Sequence, residues 1–143
     1  LGWGKSHGLG TGLGLTIGAK LAQPDKVCVN FMGDAAFGMV GLDFETAVRS
    51  NLPIITVVLN NSTMAVETAA MESSHRLFNT RDLGGNYAEM GAAMGGYSER
   101  IEEPSQVSAA FSRARKVTEE QGRAVLLEFI TSSETEASHR RPF

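Results

Sequence analysis

The 143-residue chain is poor in cysteine, proline and aromatic side chains: it has one cysteine, four prolines and 7% Phe, Trp and Tyr. A lone Cys28 cannot close an intrachain disulfide, which excludes a disulfide-stapled scaffold and agrees with a reducing, cytoplasmic setting. Basic charge is scarce as well. Thirteen Lys and Arg against sixteen Asp and Glu leave a net charge of −3 and a pI near 5.6. There is thus no cationic footprint for phosphate-backbone binding, and nucleic acid is not an expected partner. No apolar run approaches the roughly 20 residues of a membrane-spanning helix, and residues 1–7 lack the charged-then-apolar layout of a signal peptide. What is present is a 42% apolar content, enough for one compact domain with its own core, and sixteen glycines concentrated near the start. The chain opens on Leu1, not Met, so a fragment lacking its true N-terminus is expected.

The order of elements follows from periodicity. Leu9, Leu13, Ile17 and Leu21 recur every four residues among Gly10, Gly12, Gly14 and Gly18, the pattern of a glycine-rich turn feeding a helix. Glycine costs a helix up to ~1 kcal/mol relative to alanine, so these glycines point either to tight packing or to close approach of a ligand. Residues 27–32 read as a buried strand stopped by Gly33-Asp34, and residues 40–50 as a helix. Residues 54–59 form the clearest strand, ending at Asn60-Asn61. The stretch from Ser62 to Gly85 is polar and irregular, and long enough to be functional. A helix at 87–94, a weak strand at 97–101, a helix with Pro104 in its first turn and a final strand at 124–130 complete the series. The polar tail, 131–143, is expected to be mobile or docked. Strands alternate with helices throughout, which predicts an α/β fold: a mainly parallel sheet with helices on both faces, as a single domain over 1–143.

Parallel strands joined by right-handed crossovers finish at one edge of the sheet, and open α/β sheets bind ligands there. Asp34 and Asn61 both fall at that edge. A carboxylate and a carboxamide oxygen suit Mg²⁺, a hard cation that completes six-fold coordination with waters and phosphate oxygens. Equally, Asp34 can cap a turn and Asn60-Asn61 can merely end a strand. Two phosphate motifs fail. Gly33 to Gly38 has P-loop spacing, but Met39-Val40 replaces the Lys-Ser/Thr pair, and the early glycines do not fall in the register of a dinucleotide fingerprint.

Gly33-Asp34-Ala35-Ala36-Phe37, followed at long spacing by Asn60-Asn61, resembles the G-D-x…N-N signature of thiamine diphosphate enzymes. It is most similar to the acetolactate synthase-like and 2-oxo acid decarboxylase group. Gly10 to Lys20, Asn51-Leu52-Pro53 and the Val125-Leu126-Leu127-Glu128 strand fit the same pattern, so the likeness spans nearly the whole chain. It resembles the C-terminal, diphosphate-binding part of such enzymes.

That resemblance implies thiamine diphosphate and Mg²⁺ as cofactors and a 2-oxo acid as substrate, for decarboxylation, carboligation or both. Asp34 and Asn61 would ligate Mg²⁺ through their side chains, and Thr63 through its carbonyl. Gly33, the amides of Ala35 and Ala36, and Met64 would lie against the cofactor. Ala36 lacks the hydroxyl of the serine that many relatives place after the G-D-x triplet. Leu9 would press the bent cofactor from below, although its spacing also suits ordinary core packing. Glu67, six residues past Asn61, occupies the place of a substrate-facing acid in pyruvate decarboxylase-like members; as a residue type it is more often solvated. The cofactor-activating glutamate belongs to a separate pyrimidine-binding domain, in the same or a neighbouring subunit, which implies a homodimer or homotetramer. Two alternatives stand beside this reading: a separately encoded β-type subunit of a decarboxylase, and a noncatalytic flavodoxin-like binding module. His7, His75 and His139 lack metal-ligand spacing and are expected in loops, while Met64, Met71, Met90 and Met94 are expected to fill core or interface gaps.

Overall fold

In the computed structural model, which describes residues 8–65 and 71–133, strands and helices alternate as expected. The strands are β1 (Cys28–Gly33), β2 (Ile54–Asn60), β3 (Tyr97–Ile101) and β4 (Val125–Ile130), in one sheet of order β1-β2-β4-β3. All three pairings are parallel. The helices are α1 (Thr11–Ala22), α2 (Asp34–Val40), α3 (Asp43–Arg49), α4 (Glu72–Phe78), α5 (Tyr87–Ala93) and α6 (Val107–Gln121).

Side chains alternate across a strand, so each central strand serves two cores. Ile54 and Val58 of β2 join Leu13, Phe37, Phe44, Ala47, Tyr87 and Leu126 on one face. Ile55 and Val57 join Ala110, Ala114 and Val117 of α6, with Val125 and Leu127, on the other. Both faces are covered by helices, which is why β2 and β4 are apolar almost without interruption.

Five local readings change. Gly33-Asp34 does not merely stop a strand: α2 starts at Asp34, directly after β1. The helix expected over 40–50 is instead the end of α2 and a separate α3, divided at Gly41-Leu42. There a Cβ on Gly41 would lie 2.8 Å from the Phe37 carbonyl oxygen. Within the polar stretch after Ser62, residues 72–78 form α4, which carries His75 on a helix and not in a loop. Helix α4 buries no residue, so it has no apolar periodicity to betray it. Pro104 opens a short 3₁₀ turn, Pro104–Gln106, that runs into α6. Finally, the tail is tied down at its start, because the Thr131 amide donates to the Asn60 carbonyl at 2.8 Å. Residues 134–143 lie outside the described residues, as do His7 and His139.

On the α6 side, Arg113 grips Glu99 of β3 through two hydrogen bonds, Nε to Oε1 at 2.9 Å and Nη2 to Oε2 at 2.6 Å. The Tyr97 hydroxyl donates to the same carboxylate at 2.6 Å. The Arg113 guanidinium, and after it the Tyr97 hydroxyl, hold the Glu99 carboxyl below its ordinary value of 4.5, against the opposing pull of burial. A lowered acid stabilises the fold fully above its unfolded-state pKa and loses that contribution as pH falls through the folded one. Glu99→Gln is expected to cost about 0.5–1 kcal/mol at neutral pH and to reduce the acid sensitivity of the melting temperature below pH 4.5. Identical acid slopes for the two proteins would refute the assignment.

Candidate cofactor site

The carboxyl ends of β1 and β2 deliver the two motif residues together. Asp34 follows β1 immediately and is 3% exposed. Its Oδ1 accepts from the Ala35 amide at 2.9 Å, and its Oδ2 accepts from the Ser62 amide at 2.8 Å. That second bond crosses from β1 to the turn after β2. Asn61 holds the same turn from inside, its Oδ1 accepting from the Thr63 amide at 3.1 Å. Ser62 sits between them with φ of 57°, a left-handed conformation that folds the chain back on itself.

The turn is also pinned from outside. Met64 donates to the Arg81 carbonyl at 2.9 Å, and Leu83 donates to the Ser62 carbonyl at 3.0 Å. These two bonds make an isolated antiparallel bridge between Thr63 and Asp82, and neither uses the carbonyl of Thr63 itself.

One cavity of about 530 Å³ lies at this edge, lined by Leu9, Gly33, Asp34, Ala35, Ala36, Leu59, Asn61, Thr63, Met64, Ala65, Thr131 and Ser132. All eight residues expected against the cofactor are among them. Leu9 is 49% exposed and stands in this cavity, whereas Leu13, one turn later, is fully buried; core packing is therefore not the place of Leu9. Gly10 makes this arrangement possible. Its φ of 88° turns the chain into α1, and a Cβ there would lie 2.7 Å from Val40 and 3.2 Å from the Ala36 carbonyl oxygen. Gly10 thus sets the start of α1 against α2, the helix that carries Asp34, Ala35 and Ala36, while Gly12 lies against Asn30 of β1.

Thr131 and Ser132 line the cavity although the sequence placed them in a polar tail. Their signal was position: they directly follow β4, the strand neighbouring β2, at the same edge. Glu67 lies outside the described residues. A second cavity of about 320 Å³, between β1, β2 and α6, is walled by Phe31, Val57, Phe111 and Phe129 and holds none of the motif residues.

The donor set fits a hard cation beside a phosphate group. Asp34, Asn61 and Thr63 offer only oxygen, and one of the three oxygens is anionic. Each carboxylate oxygen of Asp34 accepts one of the two protein hydrogen bonds described and has a further lone pair. Among the described residues no group of three His, Cys, Asp or Glu gathers in a way that would favour a softer metal. The negative field of Asp34 also reaches Tyr87, whose phenol is pushed above its ordinary value of 10.0 first by burial and then by Asp34 and Glu128.

An all-parallel sheet with its functional turns at the carboxyl edge is the mark of a ligand-binding α/β domain. Residues 1–129 match the family described as "Thiamine pyrophosphate enzyme, C-terminal TPP binding domain". The chain belongs to that family. It is 35% identical over 108 residues to the acetolactate synthase large subunit of Mycobacterium tuberculosis, covering 74% of this chain and 20% of that protein. With the 2-hydroxyacyl-CoA lyase of Oryza sativa it shares 31% identity over 124 residues, which is 80% of this chain and 21% of the lyase. In fold it is similar to the Rhodococcus jostii thiamine diphosphate-dependent 4-hydroxybenzoylformate decarboxylase. The TM-score is 0.72 at 22% identity, over 90% of this chain and 24% of that one. The chain thus spans about a fifth of the length of the curated relatives named here. No helix among the described residues is long and apolar enough to cross a membrane.

Proposed function

We propose that this domain holds Mg²⁺ and the diphosphate of thiamine diphosphate in the cavity at the carboxyl ends of β1, β2 and β4, within an enzyme that acts on a 2-oxo acid. The observation that carries this is the gathering of Leu9, Gly33, Asp34, Ala35, Ala36, Asn61, Thr63 and Met64 around one cavity. Asp34, the Asn61 side chain and the Thr63 carbonyl would hold the metal, and Gly33, Ala35 and Ala36 would lie against the diphosphate. Leu9 supplies an apolar surface for the organic part of the cofactor. When bound, thiamine diphosphate supplies an electron sink for breaking the bond to a carboxylate or forming a new carbon–carbon bond. This chain's own contribution is to hold the Mg²⁺ that would neutralise the diphosphate, and to orient the two against each other.

Decarboxylation, carboligation or both fit the relatives, among which are an acetolactate synthase and a 2-hydroxyacyl-CoA lyase. The substrate-facing acid is assigned to Glu67. The pyrimidine-binding domain, with the activating glutamate, comes from the same polypeptide or a neighbouring subunit, so the working unit is a homodimer or homotetramer in the cytoplasm. Calorimetric titration of the full-length protein with thiamine diphosphate, with and without Mg²⁺, tests the reading. Binding that tightens with Mg²⁺ is expected; binding indifferent to Mg²⁺, or none at all, would replace it with a noncatalytic module.

A further inference from the structure

Glu128 is the one charged residue in β4 and is fully buried there. A buried carboxylate is costly unless every lone pair in reach is used, so its partners define its task. Oε2 accepts from the Ala88 amide at 2.9 Å, in the first turn of α5. Oε1 accepts from Arg100 Nη1 at 3.3 Å and from Asn60 Nδ2 at 2.7 Å. Asn60 is itself 3% exposed and closes β2. Its Oδ1 accepts from both the amide and the hydroxyl of Ser62, at 3.0 and 3.2 Å. The same Ser62 amide donates to Asp34 Oδ2 at 2.8 Å. One continuous chain of hydrogen bonds therefore runs from Glu128 of β4, through Asn60 and Ser62, to the carboxylate at the cavity.

We propose that Glu128 is a positioning residue of the cofactor site: by fixing which way the Asn60 carboxamide faces, it sets Ser62 and so the placing of Asp34 against Asn61 and Thr63. The direction of the chain is what matters. Asn60 points its NH₂ at β4 and its oxygen at Ser62, an orientation fixed from one side by the acceptor Glu128 Oε1 and from the other by the donating Ser62 amide. Glutamine at 128 keeps the Ala88 bond through its oxygen and turns its own NH₂ towards Asn60. Two donors then face each other, and a flip of Asn60 only moves the mismatch, setting its NH₂ against the Ser62 amide; in either orientation the hold of Asn60 on the turn is weakened. The defect is delivered to the cavity edge, although Glu128 does not line the cavity.

This inference rests on the Mg²⁺ reading of Asp34, Asn61 and Thr63, and the test separates the two. Two measurements apply to the full-length protein: amide hydrogen exchange of peptides covering 60–64 without metal, and the Mg²⁺ concentration at half-maximal thiamine diphosphate binding. Glu128→Gln is expected to accelerate exchange at 60–64 and to weaken Mg²⁺ about 10–100-fold, the usual effect of losing a residue that orients metal ligands. The exchanged pair Asn60→Asp with Glu128→Gln restores donor facing acceptor with the same net charge, and is expected to recover slow exchange. If Glu128→Gln does not fold, Asn60→Ala carries the same expectation, since it leaves the Ala88 and Arg100 bonds of Glu128 in place. Faster exchange confined to 87–90, Mg²⁺ binding unchanged within twofold, or an exchanged pair that folds with exchange as fast as the single variant would each overturn the proposal. Should the unaltered protein bind the cofactor without regard to Mg²⁺, the metal reading falls, and exchange at 60–64 still decides the role of Glu128.

Discussion

Asp34→Ala in the full-length protein is expected to abolish the response of thiamine diphosphate binding to Mg²⁺ and to lower cofactor-dependent activity by more than about 100-fold. Losing a residue that only orients a metal ligand costs 10–100-fold, so losing the anionic ligand itself lies beyond that range. Thermal shift gives an independent readout. A ligand at about 100 times its Kd stabilises the native state by about 2.7 kcal/mol. Unaltered protein should therefore melt higher when cofactor and Mg²⁺ are added together, and the variant should not. The substitution also removes the acceptor of the Ala35 and Ser62 amides. A modest fall in intrinsic stability is thus expected, and the comparison is made on each protein with and without cofactor. Asp34→Asn, which keeps an oxygen and loses the charge, should fall between the two. Undiminished Mg²⁺ dependence in Asp34→Ala would sink the assignment.

Phe37→Ala is expected to destabilise the domain by about 3–5 kcal/mol, a loss large against the 5–15 kcal/mol that holds a typical domain folded. Phe37 is fully buried and meets Tyr87 edge to face, with ring centroids 5.5 Å apart. It is the anchor of α2, whose first residues are Asp34, Ala35 and Ala36, and it joins that helix to α5. Truncation leaves a cavity between the two that close-packed neighbours cannot fill. The melting transition should fall by about 10 °C or more, and cofactor affinity should fall with it as α2 loosens. A melting temperature within a few degrees of the unaltered protein would contradict the packing described.

Much of this was legible in the sequence because parallel sheets have a strong signature. Strands buried on both faces read as unbroken apolar runs, and turns at their carboxyl ends read as the place for chemistry. Asp34 and Asn61 stand out in that way. What stayed hidden has physical reasons. Helix α2 follows β1 without a linker and is split from α3 by a glycine, so two short helices blur into one period with a shifted start. Helix α4 buries nothing, and amphipathic patterning has no purchase on it. The parts played by Asn60 and Glu128 depend on hydrogen bonds between residues 68 positions apart, which no local window contains. The trace that was available was the glutamate itself, a charge inside a strand whose other residues are all apolar.

The strand order β1-β2-β4-β3 bears on how the site comes into being during synthesis. The last strand made is not an edge strand; it is inserted between β2 and β3, and it brings Thr131 and Ser132 to the cavity and Glu128 to Asn60. A ribosome that has released Asp34 and Asn61 has therefore delivered the ligands without the partner that aligns them. Because β2 and β3 are joined only through β4, the sheet cannot close before residues 125–130 emerge, and parallel pairing of this non-local kind is slow. Truncations that stop short of Phe129 should consequently lose the sheet and the cavity together, while leaving every residue of the G-D-x…N-N motif in the chain.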